Sequence, residues 1–483
     1  MDVTATEARA GQADQTVSLP TLTAMVVGSM IGSGVFLLPR RFGTETGVVG
    51  AVIAWTIAGA GMLMLAFVFQ RLAIRKPDLN AGIFTYARAG FGDYVGFNSA
   101  IGYWASVCAG NVSYWVLITA TLGAIFPAFG DGDTGAAVAA SVVGAWLFAF
   151  LVMRGVKDAA VINYIVTIAK VVPILVFILI AIIAFQADVF TDNLWGGGGY
   201  SFAAVWDQAT GTMLITVFVF LGIEGAAVYS RMARRREDVG RATVMGFLGV
   251  LGVFALVTLV SYGAMPQDEL AGVSQPSMAA VLESIVGPWG SIFIKVGVII
   301  SVLGAYLAWT LMAAEVLFIP AKSEDMPRFL ARTNRHDAPV VALVMAACLT
   351  SLLLVALLFA ANALDFMLDL TAALSLIPYL LAAAYALKLT VTRETYDDRR
   401  SLRADMVIAG VATAYTVFLV FAAGLDKLLL SCLLYAPAAA LYVKARRERG
   451  LRVFRPAEAA LFGAVVLGAV AAVVSLLTGS IQI

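Results

Sequence analysis

The sequence predicts an all-α membrane protein of about thirteen transmembrane helices, and three observations carry that prediction. Of the 483 residues, 61% are hydrophobic and 13% charged, about half the charged share of an ordinary soluble domain, and mean hydropathy is +0.91. Apolar runs recur from residue 20 to residue 478, each near the roughly 20 residues that cross a hydrocarbon core. Lys and Arg gather in every second connection between those runs, the pattern of loops retained in the cytoplasm.

In chain order, residues 1–18 form a polar tail, with Asp2, Glu7 and Asp14 beside Arg9. It lacks the basic start and cleavage site of a signal peptide and reads as a cytoplasmic tail. Runs follow at 20–41, 48–70, 94–127, 135–153, 158–186, 206–229, 243–265, 289–320, 339–361, 365–388, 405–424, 428–443 and 458–478. The third and eighth exceed the bilayer's needs and are expected to tilt or extend into solvent. The connections after runs 2, 6, 8, 10 and 12 hold RLAIRKPDLNAGIFTYAR, RMARRREDVGR, AKSEDMPRFLARTNRHD, TVTRETYDDRRSLR and KARRERGLRVFR, and RGVKDAA after run 4 agrees. The N-terminus is thus expected inside and, with an odd number of spans, the C-terminus outside.

Several function classes fall away. Cys108, Cys348 and Cys432 lie in apolar runs and are odd in number, so they make no disulfide framework. The single His336 has no companion His or Cys, so no metal site is expected. WGGGG at 195–199 has no strand before it and no Lys-Ser/Thr after it, which argues against phosphate binding. No Ser/His/Asp set, nucleotide loop or soluble module is visible, so neither an enzyme nor a receptor is expected, and no cofactor or nucleic acid. The bilayer is the partner that composition demands.

Run 1 carries Gly28-Ser29-Met30-Ile31-Gly32-Ser33-Gly34 at its centre, against helix propensity. Gly28-x-x-x-Gly32 is also the small-x-x-x-small spacing of close helix packing, so run 1 alone leaves packing and a functional break both open. Run 6 decides between them: Gly222 and Gly225 bracket Glu224 in mid-run, where an ionised group is costly and signals function. With runs 1–5 and 6–10 taken as inverted repeats, the two interruptions correspond, and paired discontinuous helices point to the substrate site of a secondary transporter. Free N–H groups near Ser33 and Gly34 would suit a carboxylate. Free carbonyls around Phe218 to Leu221 would suit an ammonium, and both together suit an amino acid.

These motifs, GSMIGSGVFLLP in run 1, YARAGFGDYVGF leading to YWASVCAGN in run 3, GIEGAAVYSRMARRREDVGRAT in run 6, LAWTLMAAEV in run 8 and SLIPYLLAAAYALK in run 10, occur in the order of a known family. The chain resembles the amino acid-polyamine-organocation (APC) superfamily, and within it the basic amino acid/polyamine antiporters, most closely those exchanging arginine for ornithine. The resemblance implies a 5+5 inverted-repeat fold with discontinuous helices 1 and 6, a transport core at 19–390 and extra helices at 391–483. It implies that the substrate carboxylate meets Ser33 and Gly34 and that the ammonium meets carbonyls of Met30, Phe218 and Leu221. Trp309 would lie against the cationic end, with Asn111 and Thr371 nearby. Phe218 stands where arginine/agmatine-exchanging members have a gating tryptophan, and Thr371 replaces their serine.

For other residues two roles stay open. Trp309 lies about 20 residues into run 8, which favours a cation–π contact over an interface anchor. Tyr103 and Asn111 share a helix face, suited to substrate contact or to interhelical hydrogen bonding. Glu224 is either an anchor of the break or a gating, proton-linked group. Lys170, in mid-run 5, resembles the lysine that takes sodium's place in sodium-independent members. Glu315, Asp365 and Asp369 either draw cations along the path or serve as caps and ion-pair partners. The expected activity is exchange of arginine for ornithine or a similar cationic pair across the inner membrane. The alternatives are an amino acid/amine antiporter or a proton-coupled basic amino acid permease. A homodimer stays open.

Overall fold

The computed structural model describes residues 18–79, 82–155, 159–196, 201–224, 236–360, 362–396 and 398–481, with side chains from 165 and 238 in the helices that begin at 159 and 236. The tail 1–17, Lys157, most of the WGGGG loop, Gly225 and the first part of the basic connection after run 6, to residue 235, lie outside the described residues.

Every apolar run carries helix. Run 1 is α1 (Leu19–Met30), then a 3₁₀ turn (Gly34–Leu37) and α2 (Leu38–Glu45), and the two halves are bent by 49°. Next come α3 (Val48–Arg75), the short α4 (Ile83–Phe91), α5 (Asp93–Gly123), α6 (Gly135–Met153), α7 (Ala159–Ile183) and the short α8 (Ala187–Asp192). Run 6 holds α9 (Phe202–Gly211) and α10 (Met213–Val219). After α11 (Arg236–Tyr262), two short helices, α12 (Gln267–Gly272) and α13 (Ser277–Val286), precede α14 (Pro288–Lys322). The chain ends through α15 (Val340–Ala356), α16 (Ala363–Thr392), α17 (Arg399–Ala422), α18 (Gly424–Glu448) and α19 (Pro456–Leu477). Among the described residues 12 helices can cross a membrane by length and composition, up to 13 with the bent pair as one span. The protein is a multi-pass, all-helical membrane protein.

Local chemistry sets several boundaries. Thr134 and Ser201 accept hydrogen bonds from the third residues of α6 and α9, at 3.2 and 3.1 Å, as N-caps do. Gly92, with φ +102°, both ends α4 and starts α5, a backbone that favours glycine. The short helices α4, α8, α12 and α13 were too brief to register as apolar runs.

α5 is the hub. Its apolar window is 89% buried, against 6% for α19, and α16, α14 and α4 pack around it. In lipid, helices associate through packing and polar contacts, which favours small residues at crossings. Gly110 accordingly admits the Trp309 ring and Gly102 the Tyr435 hydroxyl.

The connections after runs 2, 8, 10 and 12 meet on one face. There Asp405 takes Arg71 at 3.1 Å and Arg75 at 2.7 Å, Arg88 pairs with Asp325, and Arg446 reaches Asp93 at 2.9 Å. The opposite face is closed around α2. Arg41 bridges Asp369 at 2.5 Å and Asp365 at 3.4 Å, and the Tyr262 hydroxyl donates to the Thr46 carbonyl at 2.5 Å.

Candidate functional site

Both interruptions are breaks in the backbone. In run 1 the last helical bond is Ile31 N–H to Val27 O at 3.0 Å, and the chain resumes with Phe36 N–H to Ser33 O at 3.1 Å. In run 6, α10 tightens into turns, with Phe220 N–H to Val217 O at 3.1 Å and Leu221 N–H to Phe218 O at 3.2 Å. Gly222 follows at φ +101°, a conformation that side chains other than glycine's rarely tolerate. The Phe218 carbonyl already accepts one bond, so a ligand ammonium would use its second lone pair.

The two breaks also pack on each other. A Cβ at Gly34 would lie 2.6 Å from Val219 Cγ1 and 3.0 Å from Phe218 Cδ1, and one at Gly222 would strike the Ser29 carbonyl. Glycine at each break is what lets the other approach. Met30, Ser33, Phe218 and Leu221 are all buried around this junction.

Glu224 ties the run 6 break to two other helices. Its carboxylate accepts hydrogen bonds from the Tyr103 hydroxyl of α5, from the Tyr379 hydroxyl of α16 at 2.6 Å and from Gly222 N–H at 3.1 Å. Tyr103 also lies 3.5 Å from the Met312 sulfur of α14. Three elements thus converge on one carboxylate, and α14 touches it only through Tyr103.

The residues expected to receive the substrate's side chain lie on α5, α14 and α16. Trp309 of α14 packs against Gly110 of α5, next to Asn111, and its ring stands edge-on to Tyr114 at 5.3 Å. The Tyr114 hydroxyl is 3.7 Å from where a Gly32 Cβ would be, which brings it to the first break. Asn111 is buried, and its Oδ1 has no donor among the described residues, so its desolvation calls for a partner. Thr371, on α16, donates to Met367 O at 2.6 Å, and its own carbonyl takes the Ser106 hydroxyl of α5 at 2.7 Å. Its hydroxyl oxygen keeps acceptor capacity.

Lys170 and Glu315 lie apart from this cluster. Lys170 Nζ reaches the Gly28 carbonyl of α1 at 3.4 Å, and Glu315 is exposed two turns beyond Trp309. Asp365 and Asp369 are engaged by Arg41. Sequence reasoning missed Tyr379 and Tyr114. The available signals were a tyrosine directly after Pro378 in run 10, and one at i+3 from Asn111, the spacing that keeps two side chains on one helix face.

The amino acid permease family matches residues 17–427. The chain is 49% identical to an arginine/ornithine antiporter of Pseudomonas aeruginosa, over 97% of this chain and 98% of that one. It is 38% identical to an L-lysine transport protein of Corynebacterium glutamicum, with 98% of each covered. An arginine/agmatine antiporter of Chlamydia pneumoniae is 36% identical, over 89% of this chain and 90% of that one. With a family model matched over residues 17–427 and transport proteins as full-length relatives, the chain belongs to the amino acid permease family.

Proposed function

We propose that this protein exchanges arginine for ornithine, or a closely similar cationic pair, across the bacterial inner membrane by alternating access. The observation that carries the reading is the junction of two broken helices beside the orphaned Asn111 acceptor and the Trp309 ring. The first break offers the Ser33 hydroxyl and the N–H groups of Ser33 and Gly34 to a carboxylate, and Met30, Phe218 and Leu221 offer carbonyls to the α-ammonium. Trp309, Asn111 and Thr371 receive the cationic end, while Tyr103 and Glu224 couple the second break to α5 and α16. Runs 1–5 and 6–10 form the inverted repeats of the core, residues 19–390, to which 391–483 add three helices. The arginine-rich face is cytoplasmic by the distribution of Lys and Arg, with the N-terminus inside and the C-terminus outside. The greater likeness to an arginine/ornithine antiporter, at 49% against 36% for an arginine/agmatine one, favours two amino acids over an amino acid and its amine.

Purified protein in sodium-free liposomes loaded with ornithine should accumulate labelled arginine, and unloaded liposomes should not; equal uptake into both would rule out exchange. The pocket has its own test. Ser33→Ala should weaken arginine binding about tenfold or more, the loss of a hydrogen bond to a charged group (about 1.5–3 kcal/mol). Trp309→Leu should weaken it about thirtyfold, the worth of a desolvated cation–π contact near 2 kcal/mol, and should lower the ratio of arginine to citrulline affinity. An unchanged ratio would reduce Trp309 to packing.

A further inference from the structure

Tyr114 of α5 links the first break to Trp309. Its ring stands edge-on to the Trp309 ring, with centroids 5.3 Å apart, and its hydroxyl lies 3.7 Å from where a Gly32 Cβ would be. The backbone there is short of acceptors. The N–H groups of Gly32 and Ser33 meet no backbone acceptor among the described residues, and a buried N–H without an acceptor is costly. Ser33 and Tyr114 are both buried.

The second break shows what such a set of donors holds. There the Glu224 carboxylate takes the hydroxyls of Tyr103 and Tyr379 and the N–H of Gly222, so tyrosine hydroxyls and a break glycine together satisfy one carboxylate withdrawn from water. The first break has donors of the same kind and no acid of its own. Asp14 and Glu45 bound a stretch without Asp or Glu that holds the whole break, and Asp93 and Asp131 bound another that holds Tyr114 and the rest of α5. A carboxylate delivered by a ligand completes the set.

We propose that Tyr114 is a specificity-determining residue, its hydroxyl donating to the carboxylate of an α-amino acid at the first break and so selecting amino acids over their decarboxylated amines. The proposal rests on the exchange reading above and deepens it. A phenol O–H donated to a carboxylate is charge-assisted, about twice as strong as a bond between neutral groups. An amine in the same place brings no acceptor, and leaves the hydroxyl and the two N–H groups desolvated without one. The penalty falls on amines alone. Arginine and ornithine share the carboxylate, so the hydroxyl does not choose between them, which suits a carrier that takes one on each side. The cationic end, at Trp309, is read separately.

The test measures equilibrium binding to the purified full chain in detergent, wild type against Tyr114→Phe, which keeps the ring against Trp309. Arginine, ornithine and citrulline should each weaken about tenfold and agmatine about twofold at most, as expected for one lost hydrogen bond to a charged group. Arginine methyl ester, which carries no carboxylate, reads the same bond from the ligand's side: its deficit against arginine in wild type should shrink about tenfold in Tyr114→Phe. Equal losses for arginine and agmatine would make Tyr114 a packing residue. A loss for arginine with citrulline spared would place its action at the cationic end, through Trp309. Unchanged affinity for all four ligands would leave the carboxylate to Ser33 and Gly34; each of these three results overturns the proposal. Wild-type protein that binds neither arginine nor ornithine would instead sink the exchange reading itself.

Discussion

The two halves of run 1 are anchored very differently. The second half, α2, is fastened on every side: Arg41 to Asp365 and Asp369 of α16, the Arg40 N–H to Ser277 Oγ at 3.2 Å, and the Gly43 carbonyl to Gln267 Nε2 at 3.0 Å. Phe42 stacks on Trp55 of α3 at 5.0 Å. The first half, α1, rests mainly on α11, where Val26 packs over Gly246. Elsewhere it has the long Lys170 contact and an open cavity. One sequence run therefore contains a fixed half and a lightly held half, joined by a glycine-containing break bent by 49°. Ion pairs hold the α2 side of the junction closed, whereas α1 is held mainly by packing.

The largest test of that contrast is Arg41→Ala. It strands two carboxylates among buried surroundings, at about 3–5 kcal/mol for a broken buried pair, and the opened state relieves the cost by hydrating them. Labelling of a cysteine placed at Leu364, in a Cys348→Ser background, should accelerate a hundredfold or more with a membrane-impermeant reagent on that face. An unchanged rate would mean that the apolar contacts of Phe42 hold α2 alone.

A smaller effect is expected at the join. Gly222→Ala demands a left-handed backbone and meets the Ser29 carbonyl, for about 1–3 kcal/mol in strain. Gly34→Ala meets the Val219 side chain, which can shift, and should cost less. Thermal unfolding of both variants in detergent should rank them in that order; the reverse ranking would put the rigid contact at Gly34.

The smallest effect belongs to α1. Val26→Ala removes packing from the face held by α11, and in lipid only the contacts are lost, not a hydrophobic driving force, so about 1 kcal/mol is expected. It should leave the Leu364 labelling rate unaltered while changing exchange from the arginine-rich face. A change at Leu364 would show that the two halves move as one body.

Much of the architecture was legible before any fold was in hand. The ends of α6, α14 and α19 fall within a few residues of the apolar runs, because span length is a property of local composition. Glu224 between glycines announced the break in run 6 for the same reason. The partners of Arg41 were not legible, since a charge at the end of an apolar run reads equally as a snorkelling side chain.

The sequence by itself determined the number and position of the spans, the alternation of basic connections and the place of both breaks, each of them set by residues adjacent in the chain. Tertiary structure alone decided what those breaks touch. Glu224 meets Tyr103 and Tyr379 across 121 and 155 residues, and Arg41 meets Asp369 across 328. Such pairs form because a polar group withdrawn from water must find whichever partner the helix packing brings near, and the packing is set by all the helices together.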